Sequence, residues 1–271
     1  MSAPTRLSPL GRLVARHRRS LPVRKVAGAC RRYLGWYGNL SYDVATNGEA
    51  FVLETLAPFR PRVLFDVGAN VGDWTLLART LCPGAAIHAF EISPPTVESL
   101  RARVGALEGV TCHEVGLADA PGAVRLRHFR DVPELTTATD YPHPFASVET
   151  EGRVVTGDAC AAEHGVERID LLKIDVEGME PSVLRGFSGM LARRAIDLVQ
   201  FEYGRVNILT HFLLRDFHEL FRGHGYVVGK VFPDHVDFRP YTLDDEDFMG
   251  PNYLACREDL AAHRQAFGGR A

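Results

Sequence analysis

The feature that most constrains the fold is a regular alternation of short apolar segments with amphipathic ones, which begins near residue 62. Apolar runs typical of buried strands cover 62–68, 85–93, 110–119, 123–129, 169–176 and 196–204. Segments with helical spacing lie between them, at 70–81, 94–107, 157–165 and 180–191. Strands separated by such helices pair in parallel, and the helices cover both faces of the sheet. The sequence therefore predicts an α/β fold.

Two regions extend or interrupt this pattern. Residues 1–45, called here the N-terminal arm, form a predicted helical extension, and residues 46–271 form the predicted main domain. Within that domain, 130–155 is rich in Thr, Pro and His, and we expect an irregular insertion there that covers an acceptor site. The remaining predicted helices lie at 5–17, 23–37, 49–57 and 211–224, and the remaining strands at 226–232 and 252–258.

The charge distribution separates the arm from the domain. The net charge of -3 gives no global attraction to nucleic acid or membranes, and neither partner is expected. Residues 1–42 nevertheless hold nine Arg or Lys and no acid. They indicate helices with a solvated basic face that could join two copies in a homodimer; an organellar transit peptide is the alternative. Five dispersed cysteines and the lack of an apolar run of about 18 residues predict a cytoplasmic protein.

A turn with two glycines joins the first strand to its helix in FDVGANVGDW. Gly68 and Gly72 permit a tight turn and the close approach of a ligand, but their spacing is not that of a dinucleotide fingerprint. Asp66 would repel a pyrophosphate and could bind an ammonium group. Glu91, at the end of the next strand, could accept both hydroxyls of a ribose. S-adenosylmethionine, with a cationic amino-acid end and an adenosine end, therefore fits better than NAD.

Charged residues end an otherwise buried strand in IDLLKIDVEGME. Alternation places Lys173 and Asp175 on one face, where each would neutralise the other. Asp175 lies at the carboxyl end of the strand, where open α/β sheets bind ligands, and Glu202 ends the neighbouring strand. Glu177 and Glu180 either join these acids or only begin the next helix, and the residues alone leave both interpretations open.

The chain resembles the FkbM-type family of S-adenosylmethionine-dependent methyltransferases over about residues 49–256. Four motifs carry the resemblance: LFDVGANVGDWTLLA, AFEISPPTVESL, IDLLKIDVEGMEPSVLRG and IDLVQFEYG. It implies a class I methyltransferase fold, which is a Rossmann-like three-layer sandwich with a mostly parallel, seven-stranded sheet. It also implies O-methylation of a small-molecule hydroxyl, most often on a sugar or polyketide-type natural product. The cofactor residues that it implies are Asp66, Gly68, Asn70, Gly72, Glu91, Ile92, Gly116, Leu117 and Asp175.

Methyl transfer to an alkyl hydroxyl needs a base that takes the proton as the oxygen attacks. The candidate catalytic residues are Asp175, with Lys173 setting its charge state, Glu202, and His143 in the predicted insertion. Alternatively, Asp175, Glu202 and Glu177 could hold a divalent cation such as Mg2+ through their oxygen atoms. The residues alone do not decide between a base and a cation site.

Other functions on the same fold would leave different patterns in the sequence. Methylation of a base amino group is excluded, because DVEG follows the fourth strand instead of an Asn/Asp-Pro-Pro-aromatic tetrad. Methylation of RNA ribose or another macromolecule would suit the basic arm, although no platform of stacking aromatic residues is evident. A non-catalytic protein that binds S-adenosylmethionine would lack the acids after the fourth and fifth strands, and this chain has them.

Overall fold

The alternating strands and helices are present in the computed structural model, which describes residues 7–129, 132 and 135–268. The strands are β1 Val63–Val67, β2 Ala86–Glu91, β3 Val110–Glu114, β4 Gly116–Leu117, β5 Gly122–His128, β6 Val148–Val155, β7 Ile169–Ile174, β8 Ile196–Glu202, β9 Tyr226–Val231, β10 Val236–Phe238 and β11 Asn252–Arg257. The helices are α1 Pro9–Arg16, α2 Leu21–Tyr37, α3 Glu49–Leu56, α4 Asp73–Leu81, α5 Pro94–Val104, α6 Gly157–Glu163, α7 Glu180–Gly186, α8 Ser188–Ala192, α9 Asn207–Thr210, α10 Leu214–Gly223 and α11 Ala261–Phe267.

The main sheet has the order β10-β9-β11-β8-β7-β1-β2-β3. Strands β3, β2, β1, β7 and β8 run parallel, and β11 is antiparallel to both of its neighbours. Two hydrophobic clusters cover the two faces: Leu172 of β7 packs in the cluster that contains Leu184 of α7, and Leu171 in the one that contains Leu53 of α3. The predicted three-layer α/β fold is confirmed.

Among the described residues, the main sheet has one strand more than the seven that the family resemblance implies. The additional strand, β10, pairs with β9 in an antiparallel hairpin, with Val236 opposite Val231. Three residues are too few to show a period of two, so the hydrophobic pattern could not predict this strand. It extends one edge of the sheet and leaves the order of the other strands intact.

A strand also forms where the composition predicts irregular structure. β6 occupies the last eight residues of 130–155 and pairs with β5 and β4 in a second, smaller sheet. The prediction is therefore wrong for 148–155, whereas 130, 131, 133 and 134 lie outside the described residues. The charged residues of β6 are exposed, and only Gly152 and Val154 are buried. The strand therefore lacks the apolar alternation by which a sequence indicates a strand.

The predicted helices of the N-terminal arm are present as α1 and α2, but they pack little against the domain. Within the part of the arm that the structure describes, residues 7–45, α1 has no buried residue and α2 has only Gly35. Asn39, directly after α2, anchors the arm. Its Nδ2 donates to the carbonyl oxygens of Asn47 and Val231, at 2.8 and 2.9 Å.

A pair of histidines links β2 to β3. His88 Nδ1 and His113 Nε2 are 3.0 Å apart, and Phe90 stacks on the ring of His113. Burial, reinforced by neighbouring histidine rings, lowers the pKa of both side chains from 6.5 to about 4. The folded protein therefore keeps both rings neutral at pH values where the unfolded chain takes up protons.

We expect His88 and His113 to contribute a decrease in the free energy of unfolding as the pH falls from 6.5 to about 4, opposite to the contribution of buried acids such as Glu180. Both pKa values are lower in the folded state, so the unfolded state binds more protons in this range and acid favours it. Urea denaturation across this range should show a smaller pH dependence for His113→Phe than for the wild type. His17→Phe, which changes an exposed histidine of the arm, is the control. Equal pH dependence in all three proteins would contradict the assignment.

Candidate active site

The carboxyl ends of four neighbouring strands bring the predicted site residues together. β2, β1, β7 and β8 lie side by side, and the predicted acids Glu91, Asp175 and Glu202 lie at or directly after three of these ends. The chain leaves β1 toward β2 and returns on its other side as β7, so the topological switch point lies between β1 and β7. Open α/β sheets bind ligands in the crevice outside such a point.

The turn after β1 requires glycine at both predicted positions. Gly68 has a φ of 83°, and a Cβ atom there would lie 1.8 Å from the carbonyl oxygen of Asp175. Gly72 has a φ of 89°, and a Cβ atom there would lie 2.9 Å from Leu100. Between them, Asn70 has a φ of 49°, and its Oδ1 is buried without a hydrogen-bond partner among the described residues. The turn is therefore pressed against the loop after β7.

Asp66, predicted to bind the ammonium group of a ligand, lies inside the sheet, and its contact with a cofactor stays a prediction. It is 0% exposed, its Oδ2 accepts a hydrogen bond of 2.6 Å from Thr75 Oγ1, and its Oδ1 lies 3.3 Å from Lys173 Nζ. The cation that Asp66 binds is thus the ammonium group of Lys173. Spacing along the chain could not reveal this partner, because the register of β1 and β7 pairs the two residues.

Lys173 is buried between two carboxylates. Its Nζ lies 3.3 Å from Asp66 Oδ1 and 3.5 Å from Asp175 Oδ2, which confirms the predicted pairing with Asp175. Burial alone would lower the pKa of the ammonium group, but the charges of Asp66, Asp175 and Glu49 outweigh it and hold the pKa above its usual value. Since Lys173 is only 5% exposed, it can act on a ligand only through Asp175.

Residues that the sequence did not single out extend this ion pair into a polar row. Asp66, Lys173 and Gln200 are register neighbours on β1, β7 and β8. Glu49 covers the row: Gln200 Nε2 donates to its Oε1 at 2.9 Å, and Asn47 Nδ2 donates to its Oε2 at 2.8 Å. Burial raises the pKa of Glu49. The one signal in the sequence was a glutamine inside the apolar strand IDLVQFE.

Glu91 ends β2 beside the glycine turn, as predicted, and its carboxylate accepts two backbone hydrogen bonds. Oε2 accepts from the backbone nitrogen of Asn70 at 3.0 Å, and Oε1 accepts from that of Ser93 at 2.8 Å. Burial raises the pKa of Glu91. The two bonds hold the turn and the start of α5.

The predicted cofactor residue Gly116 packs against Ile92, the residue that follows Glu91. A Cβ atom on Gly116 would come within 2.8 Å of the Ile92 side chain, and one on Gly152 of β6 within 2.3 Å. Leu117 is buried. The second sheet therefore packs directly on the residue that follows Glu91. Contact of Ile92, Gly116 and Leu117 with a cofactor stays a prediction.

Asp175, Glu177 and Glu202 form a cluster of acids at the carboxyl ends of β7 and β8. One carboxylate oxygen of each lies within 4.8 Å of the others, and all three residues are half-buried. Burial, reinforced by the charges of Asp175, Glu177 and Glu180, raises the pKa of Glu202 well above its usual value. Glu177 adopts a left-handed φ of 52°. The structure thus brings together the three residues predicted as a cation site.

Glu180 has a different role from Glu177. Its Oε1 accepts hydrogen bonds from the backbone nitrogens of Val176 and Gly178, at 3.0 and 3.1 Å. It is buried, and burial raises its pKa to about 7. Glu180 therefore shapes the loop that presents Asp175 and Glu177, whereas Glu177 belongs to the acid cluster.

His143, predicted as a catalytic residue, is not a member of this cluster. Its ring contacts Phe129 and Tyr141, with centroid separations of 4.9 and 5.1 Å. Burial, followed by the charge of Arg127, lowers its pKa. The structure places it between Phe129, which precedes the insertion, and Tyr141 within it, and its role as a base stays a prediction.

Two other segments lie close to the acid cluster, and no pattern in the sequence indicates that they do. Thr137 of the insertion donates from its Oγ1 to the carbonyl oxygen of Glu177 at 3.0 Å. Tyr42 of the arm lies near the acids, where partial burial of its hydroxyl and the charges of Glu202 and Glu177 raise its pKa to about 12. Because the arm and the insertion are distant from these acids along the chain, no local pattern could predict the contacts.

A family model described as the methyltransferase FkbM domain matches residues 66–228, which is more than half of the chain. The chain belongs to the FkbM methyltransferase family. The matched range contains every residue of the predicted cofactor, catalytic and cation sites, from Asp66 to Glu202. The resemblance seen in the sequence motifs is thereby confirmed.

Curated relatives are similar at modest identity. Methyltransferase 1 from Beauveria bassiana is 29% identical over 151 residues, covering 48% of this chain and 61% of the relative. The 31-O-demethyl-FK506 methyltransferase FkbM from Streptomyces tacrolimicus is 29% identical over 194 residues, covering 61% and 73%. Hexuronic acid methyltransferase AglP from Haloferax volcanii is 28% identical over 152 residues, covering 52% and 56%. The chain therefore spans less than two thirds of the Beauveria and Haloferax proteins.

Replacing Lys173 by methionine should lower the free energy of unfolding by about 3–5 kcal/mol, because Asp66 then keeps a buried charge without its cation. Urea denaturation of the two proteins measures the difference. Lys25→Met, which changes an exposed lysine of α2, is the matched control and should stay within about 0.5 kcal/mol of the wild type. A loss no larger than that of the control would contradict the stabilising role of the buried pair.

Proposed function

We propose that this protein transfers the methyl group of S-adenosylmethionine to a hydroxyl of a small-molecule acceptor, of the sugar or polyketide type. The observation that carries the proposal is the contact between the glycine turn and the acid-bearing loop, where a Cβ atom on Gly68 would lie 1.8 Å from the Asp175 carbonyl oxygen. A ligand on the turn therefore borders the acids directly. The names of two relatives, a 31-O-demethyl-FK506 methyltransferase and a hexuronic acid methyltransferase, support this class of acceptor.

The residues around the turn fit S-adenosylmethionine. The glycines allow the backbone to approach a ligand, and Asn70 Oδ1 is a buried acceptor that an ammonium group could satisfy. Glu91 has lone pairs for ribose hydroxyls beside that turn. Bound there, the cofactor supplies an activated methyl group. The protein then has to align the acceptor oxygen with that methyl group and remove the proton, and alignment alone can contribute roughly 7–11 kcal/mol.

Asp175 and Glu202 lie in different environments, which suit them to the two remaining tasks, orientation of the acceptor and removal of its proton. Asp175 is paired with Lys173 at 3.5 Å, which fixes its position and leaves it suited to orient the acceptor hydroxyl. Glu202 has a strongly raised pKa, because it is half-buried beside other acids. A general base is most effective when its pKa lies near the working pH. We therefore assign proton removal to Glu202.

S-adenosylhomocysteine should bind to the purified protein in calorimetry, and NAD should not. Glu91→Gln should weaken this binding by about tenfold or more, since an amide cannot accept from both ribose hydroxyls as a carboxylate does. Glu98→Gln, which changes an exposed glutamate of α5, should bind like the wild type. Binding of NAD without S-adenosylhomocysteine would overturn the proposed activity.

Glu202→Gln should reduce kcat by about 10²–10⁴-fold, because the amide cannot take the proton. Its affinity for S-adenosylhomocysteine should be unchanged. In the wild type, kcat/KM should rise with pH and level off above the raised pKa of Glu202, and the variant should lose this rise. The assay is release of S-adenosylhomocysteine in the presence of sugar and polyketide hydroxyl acceptors. Unchanged turnover in the variant would remove Glu202 from the chemistry.

The same assay tests the alternative in which Asp175, Glu177 and Glu202 hold Mg2+. If Glu202 acts as a free base, turnover should persist in excess EDTA. If the acids act through a cation, EDTA should abolish turnover and added Mg2+ should restore it. In that second case the assignment of Glu202 as the base would be wrong, while the binding of the cofactor would be unaffected.

A further inference from the structure

The N-terminal arm exposes apolar surface that the domain does not cover. Within residues 7–45, the part of the arm that the structure describes, only a few residues near the junction with the domain are buried. Trp36 and Tyr37 are each 76% exposed. Large apolar side chains of the arm that are exposed to solvent are Leu7, Leu10, Leu13, Val14, Leu21, Val26, Tyr33, Leu34, Trp36, Tyr37, Leu40 and Tyr42. A surface of this extent indicates a binding partner.

Most of the exposed apolar residues share one side of each helix, and the basic residues lie on the other, together with Leu21 and Trp36 of α2. At 100° per residue, Leu10, Leu13 and Val14 of α1 lie opposite Arg12 and Arg16. In α2 the apolar side carries Val23, Val26, Ala27, Cys30, Tyr33, Leu34 and Tyr37, and the basic side carries Arg24, Lys25, Arg31 and Arg32. No Asp or Glu occurs in residues 7–42. Both helices are therefore amphipathic, and all of their charged residues are basic.

This combination distinguishes among the partners that could cover the arm. A second arm of the same chain would bury the apolar sides but would bring basic residues together without any acid to compensate them. A nucleic acid would neutralise the basic residues but leave the apolar sides in water. An anionic lipid surface satisfies both, because apolar side chains enter the acyl boundary while Arg and Lys reach lipid phosphates. Exposed Trp and Tyr are also typical of the membrane interface.

We propose that the N-terminal arm binds the surface of anionic lipid bilayers, with α1 and α2 lying in the plane of the interface. No helix in the described part of the chain is long and apolar enough to cross a membrane, so the arm lies on the bilayer. The sequence alone predicted no membrane partner, because the overall charge is slightly negative; the exposure of both apolar faces changes that conclusion. Asn39 fixes the end of the arm to the domain.

The chain provides its own reporter for this binding. It has two tryptophans: Trp36 is 76% exposed in the arm, and Trp74 is 2% exposed in the domain core. The full-length protein should sediment with vesicles of phosphatidylcholine that contain roughly 30% phosphatidylserine, and far less with pure phosphatidylcholine. Trp36 lies on the basic side of α2, at the level of the lipid headgroups, and its fluorescence should shift to the blue on binding. High salt should weaken the binding.

Variants separate the contribution of the apolar side chains to vesicle binding from that of the basic side chains. Leu13→Glu with Val26→Glu should reduce the vesicle partition coefficient by at least about tenfold, because each places a charge on an apolar side. Leu243→Glu, which changes a leucine of the domain that is 81% exposed, is the matched control and should bind like the wild type. Arg31→Gln with Arg32→Gln should reduce binding to the anionic vesicles by roughly 30-fold. Thermal unfolding confirms that each variant is folded.

Three results would overturn the proposal. The first is equal or absent binding to the two kinds of vesicle. The second is a dimer in light scattering without lipid that the change of Leu13 and Val26 to Glu abolishes; the arm would then join two copies. The third is an arm-dependent affinity for RNA that competes with the vesicles. None of these measurements depends on methyl transfer, so they stand apart from the test of the proposed activity.

Discussion

The buried ion pair between Lys173 and Asp66 is the interaction on which the candidate site depends. Both side chains lie inside the sheet, where an unpaired charge would cost several kcal/mol, so β1 and β7 must keep the register that brings them together. Gln200 and Glu49 continue the polar row and tie α3 to β8. The same ammonium group reaches Asp175 at the end of β7, and the interior network therefore ends at the ligand crevice.

This arrangement explains why neighbouring acids can have different roles. Asp175 lies beside the ammonium group of Lys173, and Glu180 accepts two backbone hydrogen bonds. Glu202 is half-buried among negative charges, and this environment raises its pKa. Titratable groups whose environments separate their pKa values are the usual basis for dividing acid, base and positioning roles. The contact of Gly68 with Asp175 brings these acids next to the turn that would hold a cofactor.

Much of the fold could be predicted because local patterns encode it. The alternation of strands and helices, the two glycines of the first turn and the shared face of Lys173 and Asp175 follow from spacing alone. β6 escaped prediction because its buried positions include Gly152, and β10 because it is only three residues long. Contacts between segments that are distant along the chain, such as that of Thr137 with Glu177, could not be predicted either.

The sequence by itself determined the α/β class, the family, and the acids that follow β2, β7 and β8, because these depend on hydrophobic period and residue type. Only the tertiary structure decided what each charge faces. Strand register brought Asp66 to Lys173, a partner that spacing along the chain does not show. Packing separated the structural Glu180 from the acid cluster and left the amphipathic arm without a partner in the fold. Which charged side chains meet depends on distances in the folded protein, and the spacing of residues along the chain does not specify those distances.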